Sequence, residues 1–390
     1  MTQKIHYFFK SNKKGTTSFY FIVLFIVWVL MQLFFYRQNG IVTNLEATKY
    51  INEANHFLTT GTYSSGNFLF YSIQILLIAF CIKLKISFLF IVIVQMLLNA
   101  LSIICFYKLV ISISKNKSLA LLSTFYFLLF YYYHLYNTYL FTESLFFSFS
   151  VIYTYFLFSR KKLNLKNGTA ILLFLILLYF TRPTAIFFIP ATFLFIIIKF
   201  FPKRTFKIIV LSAVIASMGL FFLFNYSLGS GGEFDFLLPY QQEIIICGVP
   251  TIPSPHHIQM PVEKNSIQGL LYVVTQNFSL FLHLCIKRLS AFFGISRSYY
   301  SLFHNLFASA YFYFIYLVIL LGIRNLFRKN NAEVWFLIAN ISLMAFTVML
   351  SCDEWHNRFI LSVLPFILLL GVISISNSGK QISPELPIKS

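Results

Sequence analysis

The sequence predicts an all-α polytopic membrane protein from three features: an apolar composition, a series of long apolar runs, and clusters of basic residues between those runs. Of the 390 residues, 58% are hydrophobic and only 11% are charged. A soluble protein of this composition would lack the polar residues needed to cover its surface. We therefore expect about ten transmembrane helices, amphipathic juxtamembrane helices and one larger extracytoplasmic loop.

Ten apolar runs are predicted to span the membrane, and several are shorter than the ~20 residues that a bilayer prefers, which indicates short or tilted helices. A further apolar segment, 67–83, is predicted to be a juxtamembrane or re-entrant helix on the outer face. Counting it as a crossing would place the basic clusters that follow it outside. The ten predicted spans are 18–36, 87–107, 118–135, 143–159, 168–183, 184–200, 205–226, 305–323, 332–351 and 358–376.

The basic residues predict the orientation. Twenty of the 30 lysines and arginines lie in short segments that a ten-helix topology places on one side. The positive-inside rule makes that side the cytoplasm and puts both termini there, in a cytoplasmic (inner) cell membrane. Nine of the eleven acidic residues then face outward, the exceptions being Glu333 and Glu385. Because the cations lie at helix ends and form no continuous patch, no nucleic-acid partner is expected.

Three consecutive parts are predicted along the chain. Residues 1–226 form a transmembrane core with a first extracytoplasmic loop at 37–86, residues 227–304 form an extracytoplasmic loop with an interfacial helix, and residues 305–390 form the last helices and a cytoplasmic tail. Glycines and prolines between 227 and 277 predict an irregular, lid-like segment. Basic residues among apolar ones in 279–300 predict a second surface helix that attracts anionic head groups, with His283, Lys287, Arg288 and Arg297.

The five cysteines have no CxxC spacing, and we interpret them as buried core thiols. A Cys247–Cys352 disulfide stays open as an alternative, because both residues fall in predicted extracytoplasmic segments.

The first outer loop contains a candidate catalytic acid. Apolar residues from 47 to 58 follow helical spacing, with Asn44 as a candidate N-cap and Gly61 as a candidate C-cap. Glu46 lies in the first turn, where the helix dipole favours the carboxylate. An ionised carboxylate beside the bilayer is suited to act as a general base. The alternative is an acid that only stabilises its helix.

Two further outer segments contain charges at the edge of apolar helices. Glu143 opens one helix, where it either caps the helix or binds substrate, and Tyr136 lies among the tyrosines that precede it. Arg182 precedes the helix-breaking Pro183 and requires an anionic partner, either Glu143 or a ligand phosphate.

The last outer segment groups four ionisable residues within six positions between two predicted spans. Arg358 begins the final helix, where it is a candidate for phosphate binding. With it we predict substrate contacts from Asp353, Glu354 and His356. Trp355 is either an interface anchor or a surface on which a sugar stacks.

Taken in order, these segments resemble the GT-C superfamily of integral-membrane glycosyltransferases, especially the dolichyl-phosphate-mannose protein mannosyltransferase-like group. Four features match. The first outer loop contains an acid followed at fixed spacing by Tyr, Ala and Gly, and a later acid begins a spanning helix. An Arg-Pro pair follows, and a segment that runs from two acids to an Arg precedes a helix with the spacing Leu-x3-Pro. The matching residues are Glu46, Tyr50, Ala54, Gly61, Glu143, Arg182, Pro183, Asp353, Glu354, Arg358, Leu361 and Pro365.

The resemblance implies transfer of a sugar from a polyprenyl-phosphate donor to a glycan, lipid or protein on the extracytoplasmic side, with inversion, as in cell-envelope polysaccharide biosynthesis. It assigns the catalytic base to Glu46 and a substrate contact to Tyr50. The family usually has Asp, often paired with a second acid, where this chain has a lone Glu. For that reason we predict no metal at this loop and no cofactor beyond the donor itself.

Two other functions are compatible with the sequence. A polysaccharide polymerase or ligase would use the same lipid-linked substrate on the same face. A lipid-linked-sugar flippase or transporter would place its binding site near the bilayer midplane. The helix centres here are almost free of charge, and the polar residues collect at one rim, which favours an enzyme over a transporter.

Overall fold

The structure is a computed structural model that describes residues 14–201, 207, 211, 238–249, 267–327 and 332–376. Within these ranges, seven helices are long and apolar enough to cross a membrane, or eight if one bent pair counts as a single span. The chain is therefore an α-helical multi-pass membrane protein. Its α-helices are α1 (Lys14–Asn39), α2 (Glu46–Thr60), α3 (Ser72–Leu84), α4 (Leu89–Ser114), α5 (Lys117–Leu129), α6 (Tyr131–Leu135), α7 (Glu143–Phe158), α8 (Leu165–Tyr179), α9 (Phe188–Phe200), α10 (Leu238–Gln241), α11 (Ile267–Gln276), α12 (Phe278–Gly294), α13 (Leu302–Leu321), α14 (Ile323–Phe327), α15 (Ala332–Leu350) and α16 (Arg358–Ile375).

Five predicted spans correspond to long, uninterrupted helices, namely α1, α4, α13, α15 and α16. The predicted span 184–200 starts one residue earlier as a 3₁₀ turn, Pro183–Phe187, and continues as α9. The predicted spans 143–159 and 168–183 appear as α7 and α8, which have 16 and 15 residues. At 1.5 Å per residue these two cover less than a ~30 Å hydrocarbon core. Apart from residues 207 and 211, the predicted span 205–226 lies outside the described residues.

The predicted span 118–135 is not one straight helix. It is broken into α5 and α6, followed by a 3₁₀ turn at Tyr136–Thr138, and the two parts meet at 66°. The break falls at Phe130, whose φ and ψ of −81° and 73° are not helical. Neither Pro nor Gly stands there, so the sequence contains no ordinary signal for this bend.

The segment Gly66–Leu84 is also long and apolar enough to span, but its contacts place both of its ends at the same end of the helices around it. Helix α4 runs antiparallel to α1, since Phe21 contacts Tyr107 and Trp28 Nε1 donates to Asn99 Oδ1 at 3.0 Å. The start of α4 therefore lies near the end of α1, and only Lys85–Phe88 separates α3 from it.

The first turn of α3 lies at that same end. The Ile73 amide donates to the Phe180 carbonyl at 3.1 Å, just before Arg182, which pairs with Glu143 at the start of α7. The strand-like contact of Val42 with Tyr139 joins the end of α1 to this region. Both ends of this segment thus contact the same end of the neighbouring helices, an arrangement compatible with the predicted juxtamembrane or re-entrant helix.

The chain divides into two compact units that are discontinuous in sequence. Unit 1 comprises Met1–Ala185, Phe314–Asn330 and Ile367–Ser390, and unit 2 comprises Ile186–Tyr313 and Asn331–Phe366. Their boundaries differ from the consecutive parts predicted at 226 and 304, because helices distant in the chain pack together within each unit.

Unit 1 contains buried polar side chains that hydrogen-bond between its helices. Asn99 accepts from Trp28 and lies 3.2 Å from the ring of His134, and Asn137 Nδ2 donates to Gln32 Oε1 at 3.0 Å. Ser144 donates to the same Asn137 at 2.6 Å. Such bonds tie apolar helices together where lipid offers no alternative partner.

Unit 2 contains two short parallel strands, β1 (Ile246–Cys247) and β2 (Asp353–Glu354). A disulfide joins Cys247 to Cys352 immediately beside them, with a Cα–Cα distance of 5.5 Å. The interpretation of all five cysteines as core thiols is therefore wrong for this pair. It is confirmed for the other three, which are buried and free: Cys81, Cys105 and Cys285.

Candidate functional site

The candidate catalytic acid Glu46 is the first residue of α2, as predicted. The helix starts after Leu45, whose φ of 55° is outside the helical region, so the predicted N-cap at Asn44 is wrong. Asn44 contributes its backbone carbonyl, which accepts from the Ala47 amide. The predicted C-cap is confirmed: Gly61 has a φ of 76°, and its amide donates to the Phe57 carbonyl.

The Glu46 carboxylate is held by two side chains one turn further along α2. Tyr50 Oη donates to Glu46 Oε1 at 2.7 Å, and Lys49 Nζ lies 3.5 Å from the same oxygen. The Glu46 side chain nevertheless stays 22% exposed. Lys49 also lies over the ring of Tyr71, 4.9 Å from its centroid. The carboxylate is thus oriented and still accessible to a substrate.

Glu143 and Arg182 form a buried ion pair, which identifies the anionic partner that the sequence required for this arginine. Arg182 Nη1 lies 2.6 Å from Glu143 Oε1. The Glu143 side chain is fully buried, while that of Arg182 is 10% exposed. Glu143 belongs to the first turn of α7, where the helix dipole also favours its charge. Removing one partner of such a pair leaves an uncompensated buried charge and costs about 3–5 kcal/mol.

Tyr50 connects the two acids. Burial raises its pKa well above the ordinary value, and the charges of Glu46, Tyr71 and Glu143 raise it further. The hydroxyl therefore stays protonated and donates to Glu46. Since Tyr50 is fully buried, it positions the carboxylate and is not available to touch a substrate, contrary to the prediction.

Tyr136 is likewise buried and does not form a sugar-binding surface. Its ring packs against those of Tyr139, Phe141 and Phe147. The sequence placed it at an aqueous helix end, but the break at Phe130 turns this segment into the interior of unit 1.

Asp353, predicted to bind substrate, is instead part of a buried pair in unit 2. Its carboxylate binds the guanidinium of Arg297, and both side chains are fully buried. Burial raises the pKa of Asp353 to about 6, against the lowering effect of Arg297. The Asp353 amide donates to the Ile245 carbonyl at 2.8 Å, and the neighbouring Cys352 is in the disulfide. This residue has a structural role.

The rest of that segment is more open. Arg358 binds the carboxylate of Glu354, four residues before it in the chain, and both side chains are slightly exposed. The His356 ring lies 3.6 Å from that of Trp355. Tyr299 and Tyr300 donate through their hydroxyls to the Trp355 carbonyl. Arg358 and His356 thus stay candidates for substrate contact within unit 2.

The segment 279–300 exposes fewer of its cations than the sequence predicted. Arg288 is fully buried and donates to the carbonyls of Pro239, Ile244 and Met349, and Arg297 is occupied by Asp353. Lys287 and His283 are the predicted cations that stay exposed on this helix. The His256-His257 pair of the preceding loop lies outside the described residues.

Several contacts at these sites were not predicted from sequence. Lys49 and Tyr50 lie at i+3 and i+4 from Glu46, a spacing that brings side chains together on a helix, so their contact could have been found. Arg297 is 56 positions from Asp353, and no local pattern relates them. Among the described residues, no group of three or more His, Cys, Asp or Glu side chains could hold a metal ion.

No protein-family model matches the chain, and no curated protein or solved structure matches it at a significant level. Function is therefore inferred from the geometry and chemistry of these sites.

Proposed function

We propose that the protein is a membrane glycosyltransferase of the GT-C type, which moves a sugar from a polyprenyl-phosphate donor to an acceptor hydroxyl on the extracytoplasmic side. The observation that carries this proposal is the arrangement in unit 1. It consists of a partly exposed carboxylate, Glu46, held by Tyr50 and Lys49, and of the buried Glu143–Arg182 pair, whose carboxylate acts on the same Tyr50 hydroxyl.

Glu46 is the general base of the proposed reaction. It accepts the proton of the acceptor hydroxyl as the oxygen attacks the anomeric carbon of the donor sugar. The new bond joins the acceptor oxygen to that carbon, the bond from the carbon to the phosphate oxygen breaks, and polyprenyl phosphate leaves. A single displacement of this kind inverts the anomeric configuration.

Arg182 neutralises the leaving phosphate as its charge develops. The guanidinium is a planar fork of five donors, a geometry that suits a phosphate group. Its 10% exposed side chain supplies the access, and Glu143 holds it in place. In unit 2, Arg358 stays a candidate for binding an anionic group.

The proposed side of the reaction follows from two independent features. The predicted outer segments carry nine of eleven acids, with most cations on the other side. The Cys247–Cys352 disulfide lies in one of these outer segments, and disulfides persist in oxidising compartments outside the cytoplasm. Both support an extracytoplasmic site in a cell membrane, with both termini in the cytoplasm.

The donor class can be tested with the purified full-length chain in proteoliposomes. Radiolabelled polyprenyl-phosphate sugars and the corresponding nucleotide sugars are supplied in parallel, with an envelope lipid and glycan extract as acceptor. We expect the label to enter acceptor material from the lipid-linked donor alone, with inversion at the anomeric carbon. Transfer from a nucleotide sugar, or movement of intact labelled donor across the vesicle without transfer, would contradict the proposal. A product that lengthens in steps would identify a polymerase.

A further inference from the structure

Unit 1 contains a half-open cavity of about 480 Å³ beside the end of α1, separate from the charged cluster around Glu46. This volume lies within the ~300–1,000 Å³ typical of small-molecule sites. Aromatic rings form much of its wall, with Phe35 stacked on Tyr131 and with Tyr131 only 4.0 Å from Tyr132 between ring centroids.

The polar groups of the cavity wall carry no charge. Two amide side chains, Gln38 and Asn39, lie at the end of α1, and none of the lining residues is Asp, Glu, Lys or Arg. The Asn39 Nδ2 group is buried and has no hydrogen-bond partner among the described residues. A buried donor without a partner is unfavourable, and a ligand oxygen bound in the cavity would satisfy it.

The cavity is joined through Tyr139 to the segment that precedes the proposed general base. Tyr139 lines it, and the same residue pairs with Val42, whose amide donates to the Thr138 carbonyl at 3.0 Å. Glu46 begins α2 four residues after Val42, and Glu143 begins α7 four residues after Tyr139. A molecule in the cavity would therefore contact Tyr139, which pairs with the segment leading to Glu46.

We propose that this cavity binds a neutral sugar ring of the acceptor. Aromatic faces and amide groups are complementary to the apolar face and the hydroxyls of an uncharged carbohydrate. The absence of lining cations excludes the donor phosphate as the favoured occupant, and an alkyl chain would leave the amide donor of Asn39 unsatisfied. This inference rests on the proposed function, which supplies the need for an acceptor.

The test is saturation-transfer NMR on the full-length chain in nanodiscs of phosphatidylcholine. The probes are the methyl glycosides of neutral hexoses, methyl glucuronide as an anionic sugar, and octanol as an alkyl chain. We expect at least one neutral glycoside to bind, and its affinity to fall about fivefold in Asn39→Leu, as the loss of one hydrogen bond implies. Methyl glucuronide and octanol should bind no better in wild type than in this variant.

Asn52→Leu is the matched control, because it removes an exposed amide from α2, outside the cavity wall. It should bind the glycoside as wild type does. Asn39→Leu removes an Nδ2 group that makes no hydrogen bond within the described residues, so the thermal midpoint of this variant should match that of wild type. An unchanged midpoint shows that any loss of binding is not caused by misfolding. Equal glycoside binding by Asn39→Leu and wild type, binding by none of the neutral glycosides, or octanol binding that depends on Asn39 would each overturn the inference.

Failure of this inference is distinguishable from failure of the proposed function. Glu46→Gln should still bind the glycoside while losing transfer. Transfer with an unchanged acceptor KM in Asn39→Leu would refute the sugar subsite alone. Glycoside binding without any transfer by wild type would refute the proposed function alone.

Discussion

The two units each contain a buried carboxylate–arginine pair, and the two pairs differ in what surrounds them. In unit 1, Arg182 keeps a small exposed fraction, and its partner Glu143 lies close to Tyr50 and the accessible carboxylate of Glu46. In unit 2, Arg297 and Asp353 are both fully buried, beside a disulfide and a strand pairing. The same residue types therefore belong to the proposed substrate site in one unit and to a buried structural pair in the other. Burial and neighbours decide between these roles.

The largest effect is expected from breaking the structural pair of unit 2. Arg297→Ala leaves Asp353 buried without its cation and should lower the free energy of unfolding by about 3–5 kcal/mol. Thermal unfolding of purified protein measures this. Transfer per folded molecule should be retained, and a variant of normal stability but without activity would reverse the assignment of roles to the two pairs.

Loss of the disulfide is expected to have the next largest effect. It closes a separation of 105 residues, so the Cys247→Ser and Cys352→Ser double variant should lose about 2–4 kcal/mol. A reductant should lower the thermal midpoint of wild type and leave that of the double variant unchanged. Cys285→Ser, which replaces a buried free thiol, should respond to reductant as wild type does. If reductant left the thermal midpoint of wild type unchanged, the disulfide would not stabilise the fold as we expect.

Arg182→Lys tests the proposed substrate role of the pair in unit 1. Lysine keeps the charge that pairs with Glu143 but replaces the planar fork by a point charge. Donor affinity should fall about ten- to a hundredfold, equivalent to one charge-assisted hydrogen bond. Expression and thermal stability should change much less than in Arg297→Ala. Unchanged donor binding would remove Arg182 from the site.

The smallest effect is a pH dependence from Asp353. Its pKa in the folded protein, about 6, is above the 3.8 of an ordinary aspartate, so the folded state binds more protons in this range. Its contribution to stability is full below pH 3.8 and is lost as the pH rises through 6, by about 1 kcal/mol between pH 5 and 7. The difference between wild type and Asp353→Asn, followed by thermal unfolding over this range, isolates it. A difference that grows in the opposite direction would contradict a raised pKa.

Local patterns predicted the elements that depend on local interactions. Helix α2 follows from the helical spacing of its apolar residues, and its C-cap follows from the conformational freedom of Gly61. Pro183 interrupts the helical structure where the sequence predicted. The uninterrupted spans follow from apolar length. The carboxylate at Glu46 was also identifiable, since its position in a first turn depends on its immediate neighbours.

Contacts between distant segments could not be predicted. Arg288 looked like a lipid-facing cation, but it satisfies three carbonyls from separate parts of unit 2. Glu53 is one of the nine acids predicted to face outward, but it is buried and accepts from the amide and hydroxyl of Ser64 at 2.7 and 2.6 Å. Sequence spacing does not reveal which charged residues find such partners.

Glu53 gives a matched control for the central claim, since Glu53→Gln removes the same charge from the same helix. Its carboxylate binds the Ser64 loop, so this change should reduce stability by about 1.5–3 kcal/mol through the charged hydrogen bonds. Transfer per folded molecule should be kept.

The most direct measurement is the rate of sugar transfer from a polyprenyl-phosphate donor by Glu46→Gln at matched levels of folded protein. Glutamine keeps the size of the side chain and can still accept from Tyr50, but it cannot take a proton. The rate should fall about 10²–10⁴-fold, as for the loss of a positioned general base, while donor affinity stays close to wild type. A transfer rate near that of wild type in Glu46→Gln would contradict the account.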